Sequence, residues 1–533
     1  MKQWRSTILI TILAVAVSFA NIGGLDVYAL DEAKNAEAAR EMYESGNLVV
    51  PYFNYELRTD KPPLHYYFMI AGFELFGPNA YGARFFSSLF GVLTILITFL
   101  FVKRHVSERA GIFSALVLIS SIHFALQFHM SVPDPYLVFF LTWAFYSFYN
   151  AYVSQDRWAL FAFYFAIGCG LLTKGPIALG LPGLTVVAFL LLKRDFKLST
   201  IWRLQPFGGL IISLAVALPW YYAVHLQTNG LWTEGFFLKH NFDRFSDAME
   251  GHNGIFLLTF GYVFMLGMLG VLPFVFQAVK SAAVQWKQND VLLYLLTGTG
   301  VIVIFFAISS TKLPNYTVPA YPLLAALTGI YLSTMRVSWL RNRANKIGLI
   351  AYAVFMIVFP AGLYFGIDAD PSLTHLSYLA LYFLPLTIMG FWLLYLVVKS
   401  NKGSDDEAFE PRFFLATSAG WTVTVILFFY MAFPQVDAEN PVRKTLPQMN
   451  TEAKIISYKR LNAAYVFALQ KQINRIDSLP VLQEAMQGFE EGYVISRTEY
   501  REELEAIPGL VYHTEAKDTF ENPTTLIMKW GKP

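Results

Sequence analysis

The amino-acid sequence predicts an all-α polytopic membrane protein of about thirteen transmembrane helices, with a small C-terminal α/β domain outside the membrane. Three observations predict it. Of the 533 residues, 55% are hydrophobic and only 15% charged, against about 25% charged in ordinary soluble domains. Apolar windows long enough to cross hydrocarbon, about 20 residues each, recur as far as residue 432. From residue 434 the chain turns charged and rich in turn signals. This composition excludes a cytosolic enzyme, a secreted disulfide scaffold and a disordered regulator. Cys169 is the single cysteine, a small apolar packing residue with no partner for a disulfide or a thiolate metal site.

In chain order, the expected spans fall near 6–23, 82–102, 110–128, 135–153, 158–172, 175–192, 207–225, 254–279, 291–309, 316–334, 346–367, 376–398 and 411–432. Lys2 and Arg5 before the first apolar run, with Ser18-Phe19-Ala20 after it, also fit a signal peptide; in either case residue 24 emerges on the outer face. With the N-terminus inside, the inner segments hold 18 Lys and Arg and the outer loops 8, although the outer loops are the longer set. That asymmetry fits the positive-inside rule, and an odd number of spans puts the tail outside. Two domains follow: 1–433, a transmembrane domain with outer-face loop helices at 24–81, and 434–533, a soluble outer domain. Within that tail, 455–458, 464–467, 493–495 and 510–512 read as strands and 480–489 and 498–506 as helices.

Charges left on the outer face need a reason. The loop 24–81 opens a helix with Asp31 and Glu32 in its first turn, where the helix dipole favours carboxylates; an N-cap and a solvated acidic face is the plain alternative. Next comes Arg58-Thr59-Asp60-Lys61-Pro62-Pro63-Leu64-His65-Tyr66, whose paired prolines hold the chain extended at the membrane entry. A basic residue there serves equally as an interfacial anchor or as a grip on a lipid-borne phosphate. Asp134 stands at the mouth of a span, where an acid costs a few kcal/mol unless paired or facing a cavity. Lys174 sits alone between two spans, with snorkelling as its simple reading. Lys312 and Tyr316 share a proline-framed turn, and the loop 226–253 adds His240, Arg244 and His252. Asp60, His240 and His252 lack metal-ligand spacing, so no metal and no cofactor is expected. Asp31, Asp134, Lys34, Lys61, Lys174, Lys312 and Arg244 emerging on one face suggest an outward cavity for an anionic, lipid-linked ligand.

Taken in order, Asp31-Glu32, Lys61-Pro62-Pro63-Leu64-His65-Tyr66, Asp134, Leu171-Leu172-Thr173-Lys174-Gly175-Pro176 and Lys312-Leu313-Pro314-Asn315-Tyr316-Thr317-Val318-Pro319 resemble the motifs of the GT-C membrane glycosyltransferases. The nearest type is the bacterial lipid A aminoarabinose transferase, a relative of the protein O-mannosyltransferases. The likeness covers residues 1 to about 330 and is architectural beyond them. It implies an inverting transfer of a sugar from an undecaprenyl-phosphate donor to a lipid A-like glycolipid, a polysaccharide or a protein. The reaction belongs on the periplasmic side of a bacterial inner membrane, by a monomer that does not bind nucleic acid. It also implies roles: Asp31 as catalytic base and Asp134 beside it; Lys34, Lys61, Lys174, Lys312, Tyr316 and Arg244 toward the donor phosphate; and Glu32, Arg58, Asp60, His65 and His240 lining the substrate cavity. Lys34 stands where relatives often carry arginine, exchanging a planar fork for a point charge. Asp60 stands where the aminoarabinose branch tends to have Glu. A protein O-mannosyltransferase-like activity is the second reading. A non-enzymatic polyprenyl-lipid transporter is the third, disfavoured by spans with few charges at their centres and no internal repeat.

Overall fold

The computed structural model describes residues 2–242, 254–335, 339, 342–370, 373–400, 412–518 and 523–531. Helical structure occupies all thirteen expected span positions. Among the described residues, six helices are long and apolar enough to cross a membrane by length and composition, or up to eight if each sharply bent pair counts as one span. The thirteen crossings read from the sequence are therefore not all straight membrane-length helices. The expected span 110–128 is Glu108–Ile119 and Ile122–Phe128 with a 71° bend between them. Serines cause it: Ser121 accepts a hydrogen bond from Phe124 N and so caps a new helix where the old one would continue. The helix Ile177–Leu192 is shorter than a full span.

By contact, the chain divides into two compact units: Met1–Ala20, Thr59–His65 and Phe85–Phe429, then Asn21–Arg58, Tyr66–Arg84 and Tyr430–Pro533. The first is a helical bundle. Hydroxyls within it bond back to their own helix, as Thr94, Thr98, Thr142, Thr297 and Thr328 do to the carbonyl four residues earlier, so no polar group faces hydrocarbon unpaired at those positions. Tyrosines fasten helices to one another: Tyr294 donates to Phe145 O at 2.7 Å and Tyr146 to Pro322 O at 3.1 Å.

The second unit joins residues 21–58 and 66–84 to the tail. Its helix Leu30–Ser45 ends at Gly46, in the left-handed conformation that favours glycine there. It buries Ala33, Ala36, Ala38 and Ala39 in a core shared with Tyr465, Val466 and Ile495. The tail forms a five-stranded mixed sheet in the order Asn474–Ile476, Lys454–Tyr458, Gly492–Arg497, Thr524–Trp530, Leu510–Lys517. The sequence reading put residues 24–81 with the spans; most of them group with the tail instead, because the apolar face of the helix Leu30–Ser45 is completed by tail residues. Residues 464–467, expected as a strand, belong to the helix Ala463–Leu469, whose N-cap Asn462 accepts from Ala464 N. A four-residue apolar run fits either element by pattern alone.

Candidate active site

In the helical bundle, the segment Thr59–His65 approaches the π-helix Gly235–Phe242 so closely that a Cβ on Gly235 would lie 2.7 Å from Thr59 Oγ1. Pro62 and Pro63 then hold the chain ahead of the next helix, Leu64–Phe76. This sets Asp60 and Lys61 on the wall of a cavity of about 380 Å³. Asp134 reaches the same wall from the first turn of Pro133–Ser154, where the helix N-terminus favours its negative charge. Lys174 reaches it from the last turn of Arg157–Lys174, the end that favours a cation. The following Gly175 takes φ 79°, and a Cβ there would stand 2.7 Å from the Phe236 ring, so the turn that aims Lys174 needs glycine on both counts. Asn315 and Tyr316 arrive on the short 3-10 helix Pro314–Ala320.

These side chains meet. Lys174 Nζ lies 2.6 Å from Asp134 Oδ1, and Asn315 Nδ2 donates to the same oxygen at 3.2 Å. The Lys174 ammonium also sits 5.0 Å from the Tyr316 ring centroid, a cation–π contact that strengthens out of water. Tyr316 in turn packs on Phe306 at 5.2 Å. The rest of the lining is apolar: Leu137, Ile177, Phe236, Phe305, Phe306 and Pro319 among others. Two lysines and two aspartates in an otherwise largely apolar lining suit a ligand with an anionic head and an apolar body.

Other expected site residues lie elsewhere or are committed. Lys312 is buried with its ammonium on the Ser309 carbonyl, and it is not part of this cavity's lining. His65 is buried in the bundle and is likewise absent from the lining. His240 belongs to the π-helix, its side chain undescribed, and Arg244 and His252 lie outside the described residues. Among the described residues, no group of three or more His, Cys, Asp or Glu is placed to hold a metal.

The second unit holds Asp31, Glu32, Lys34 and Arg58. The helix N-cap is Ala29, so Asp31 does not cap it; its carboxylate is exposed and makes no hydrogen bond among the described residues. Lys34 is half-buried, one turn on. Glu32 was expected at a substrate cavity, but it is buried and bound on both oxygens by Arg84, at 2.7 and 2.8 Å. Arg84 gives its remaining donors to the carbonyls of Ile22, Leu25 and Asp26 at 2.9, 2.7 and 2.8 Å, which uses all five guanidinium N–H groups. Arg58 is also a packing cation, buried against Tyr66 and Asn35. Arg40 chelates Glu37 and reaches Glu44. Burial, reinforced by the Glu37 charge, pushes the neighbouring Glu41 carboxyl up to about 7, against the lowering pull of the Tyr55 and Asn54 backbone N–H groups. Sequence reasoning missed Arg84 and gave Asn315 no role. The only signal for Arg84 in the sequence is an arginine just inside the start of an apolar span.

The bundle and its appended unit together have the GT-C fold of membrane glycosyltransferases. More specifically, the whole chain superposes on the crystal structure of ArnT from Cupriavidus metallidurans bound to undecaprenyl phosphate, with a TM-score of 0.81, 20% identity and 99% of each chain covered. Residues 60–222 match the family model for dolichyl-phosphate-mannose-protein mannosyltransferase. An Aquifex aeolicus protein is 26% identical over 63% of this chain and 66% of its own length. The undecaprenyl phosphate-alpha-4-amino-4-deoxy-L-arabinose arabinosyl transferase of Shewanella sediminis is 30% identical over 65% of this chain and 63% of its own. The matched stretch therefore spans just under two thirds of those two relatives.

Proposed function

We propose that this protein transfers a sugar from an undecaprenyl-phosphate donor to an envelope acceptor of the lipid A type, on the outer face of a bacterial inner membrane. The observation that carries the reading is the cavity that sets Lys61, Lys174, Asp134 and Tyr316 against apolar walls. The ArnT fold and the aminoarabinose transferase relatives support it. In this reading the prenyl chain lies along Leu137, Ile177, Phe305 and Phe306, and the phosphate faces Lys61. The acceptor hydroxyl oxygen attacks the anomeric carbon from the side opposite the phosphate, inverting it. The bond from that carbon to the phosphate oxygen breaks, and its electrons leave on undecaprenyl phosphate. Asp31, exposed and without a side-chain hydrogen bond among the described residues, is the carboxylate that the motif resemblance assigns to take the acceptor proton. A fixed cation beside the departing phosphate stabilises the charge that grows there, and a placed base contributes typically 10²–10⁴-fold.

The match of residues 60–222 to a protein mannosyltransferase model keeps a protein acceptor as the second reading. Transfer from radiolabelled undecaprenyl-phosphate sugars in membranes tests both, because the labelled product identifies the acceptor. Label in a glycolipid supports the first reading and label in protein the second. A chain that moves no label from any donor overturns both.

A further inference from the structure

The ion pair in the cavity is lopsided. Lys174 and Asn315 both bind Asp134 Oδ1, and Oδ2 has no hydrogen bond among the described residues although Asp134 lines the cavity. A carboxylate only accepts, so Asn315 must turn its Nδ2 toward Asp134. Its Oδ1 then also has no hydrogen bond among the described residues, and Asn315 is itself part of the lining. The side chain does not serve its own helix, because the N-cap of Pro314–Ala320 is Leu313. Pro314 and Pro319 stiffen the segment that carries it.

We propose that Asn315 is a positioning residue for Asp134, and that Asp134 Oδ2 and Asn315 Oδ1 together form an acceptor pair for hydroxyl or ammonium hydrogens of the transferred sugar. This rests on the cavity being a glycosyl-phosphate lipid site. Two acceptors with fixed spacing discriminate because a ligand lacking the matching donors leaves them dry and unpaired. The phosphate and the prenyl chain gain nothing from the pair, so it acts on the sugar alone.

Binding to the full chain in nanodiscs tests this, using three lipids: undecaprenyl phosphate, and the same lipid bearing 4-amino-4-deoxy-L-arabinose or mannose. Wild type is expected to hold at least one sugar-bearing lipid about tenfold more tightly than the bare one. Asn315→Ala should erase that preference and leave bare-lipid affinity within about twofold. Asn315→Asp should behave like Asn315→Ala at pH 7.5. It should regain the preference near pH 5, against wild type at the same pH, because one carboxyl of an adjacent pair is readily protonated and then donates to Asp134. The proposal falls if Asn315→Ala keeps the preference, or loses bare-lipid binding along with it. A wild type that binds the bare lipid without favouring a sugar also sinks it, and leaves the cavity reading standing. A wild type that binds none of the three sinks the cavity reading first.

Discussion

Two carboxylate–cation pairs in this molecule use the same chemistry to opposite ends. Glu32 and Arg84 are saturated: both carboxylate oxygens and all five guanidinium donors are engaged, with carbonyls of Ile22, Leu25 and Asp26 completing the set. Asp134 and Lys174 are not. Their contact converges on one oxygen, and the wall around it is a cavity. A buried pair with nothing left over can only hold structure, because a ligand would have to break it. A pair with acceptors to spare has room for a ligand. Counting unused hydrogen-bond positions thus separates the two where charge and burial alone do not.

The sharpest way to break the comparison is Arg84→Met. It leaves Glu32 buried without a counter-charge, and should cost about 3–5 kcal/mol, read as a large fall in thermal midpoint in detergent. Arg84→Lys should lose much of the same, since three donors cannot replace five. If either variant unfolds like wild type, saturation is not what the pair is for. The opposite behaviour is expected of Asp31, whose carboxylate makes no hydrogen bond among the described residues, and of Lys61 on the cavity wall. Asp31→Asn should lower transfer about 10²–10⁴-fold, and Lys61→Ala about as much, each with the thermal midpoint little changed.

Glu41 tests a carboxyl of the second unit that has no cation of its own. Its folded value near 7 lies above the ordinary value of 4.5, so the fold prefers it protonated. The associated stability is complete below about pH 4.5 and is lost as pH rises through 7. Wild type should therefore lose thermal stability over that window by up to about one proton's linkage, and Glu41→Gln should flatten the slope. A wild type with no slope would mean that Glu41 is solvated. The smallest effect is expected of Tyr316→Phe, which keeps the ring beneath Lys174 and should lower transfer only a few-fold. Tyr316→Leu removes the cation–π contact, worth about 0.5–2 kcal/mol, and should weaken donor binding further.

The helices and the polar residues of the cavity wall were legible because each rests on local pattern. Apolar runs mark helices, and an acid at a span mouth or a lysine between spans marks a cost that needs a partner. Asp134 and Lys174 were each singled out, but 40 residues of chain separate them, and nothing local says that they touch. Glu32 is the complementary case: it stands beside Asp31 in sequence, yet a helix turns about 100° per residue, so one side chain is exposed and the other buried on Arg84. The grouping of the helix Leu30–Ser45 with the tail was not legible at all, because it depends on one apolar helix face meeting another more than 400 residues away.

That grouping bears on how the chain is made. Asn54 pairs with the backbone of Ile473, accepting from its N–H and donating to its carbonyl, each at 2.9 Å, across 419 residues of sequence. At roughly 5–20 residues per second of synthesis, the helix Leu30–Ser45 waits on the order of half a minute before the strands that cover it exist. In that interval its alanine face, with Arg40 and Glu37 beside it, has no finished core to enter. The second unit must therefore close late, when most of the apolar helices have already been made, and its closure marks a chain translated as far as the strand Thr524–Trp530.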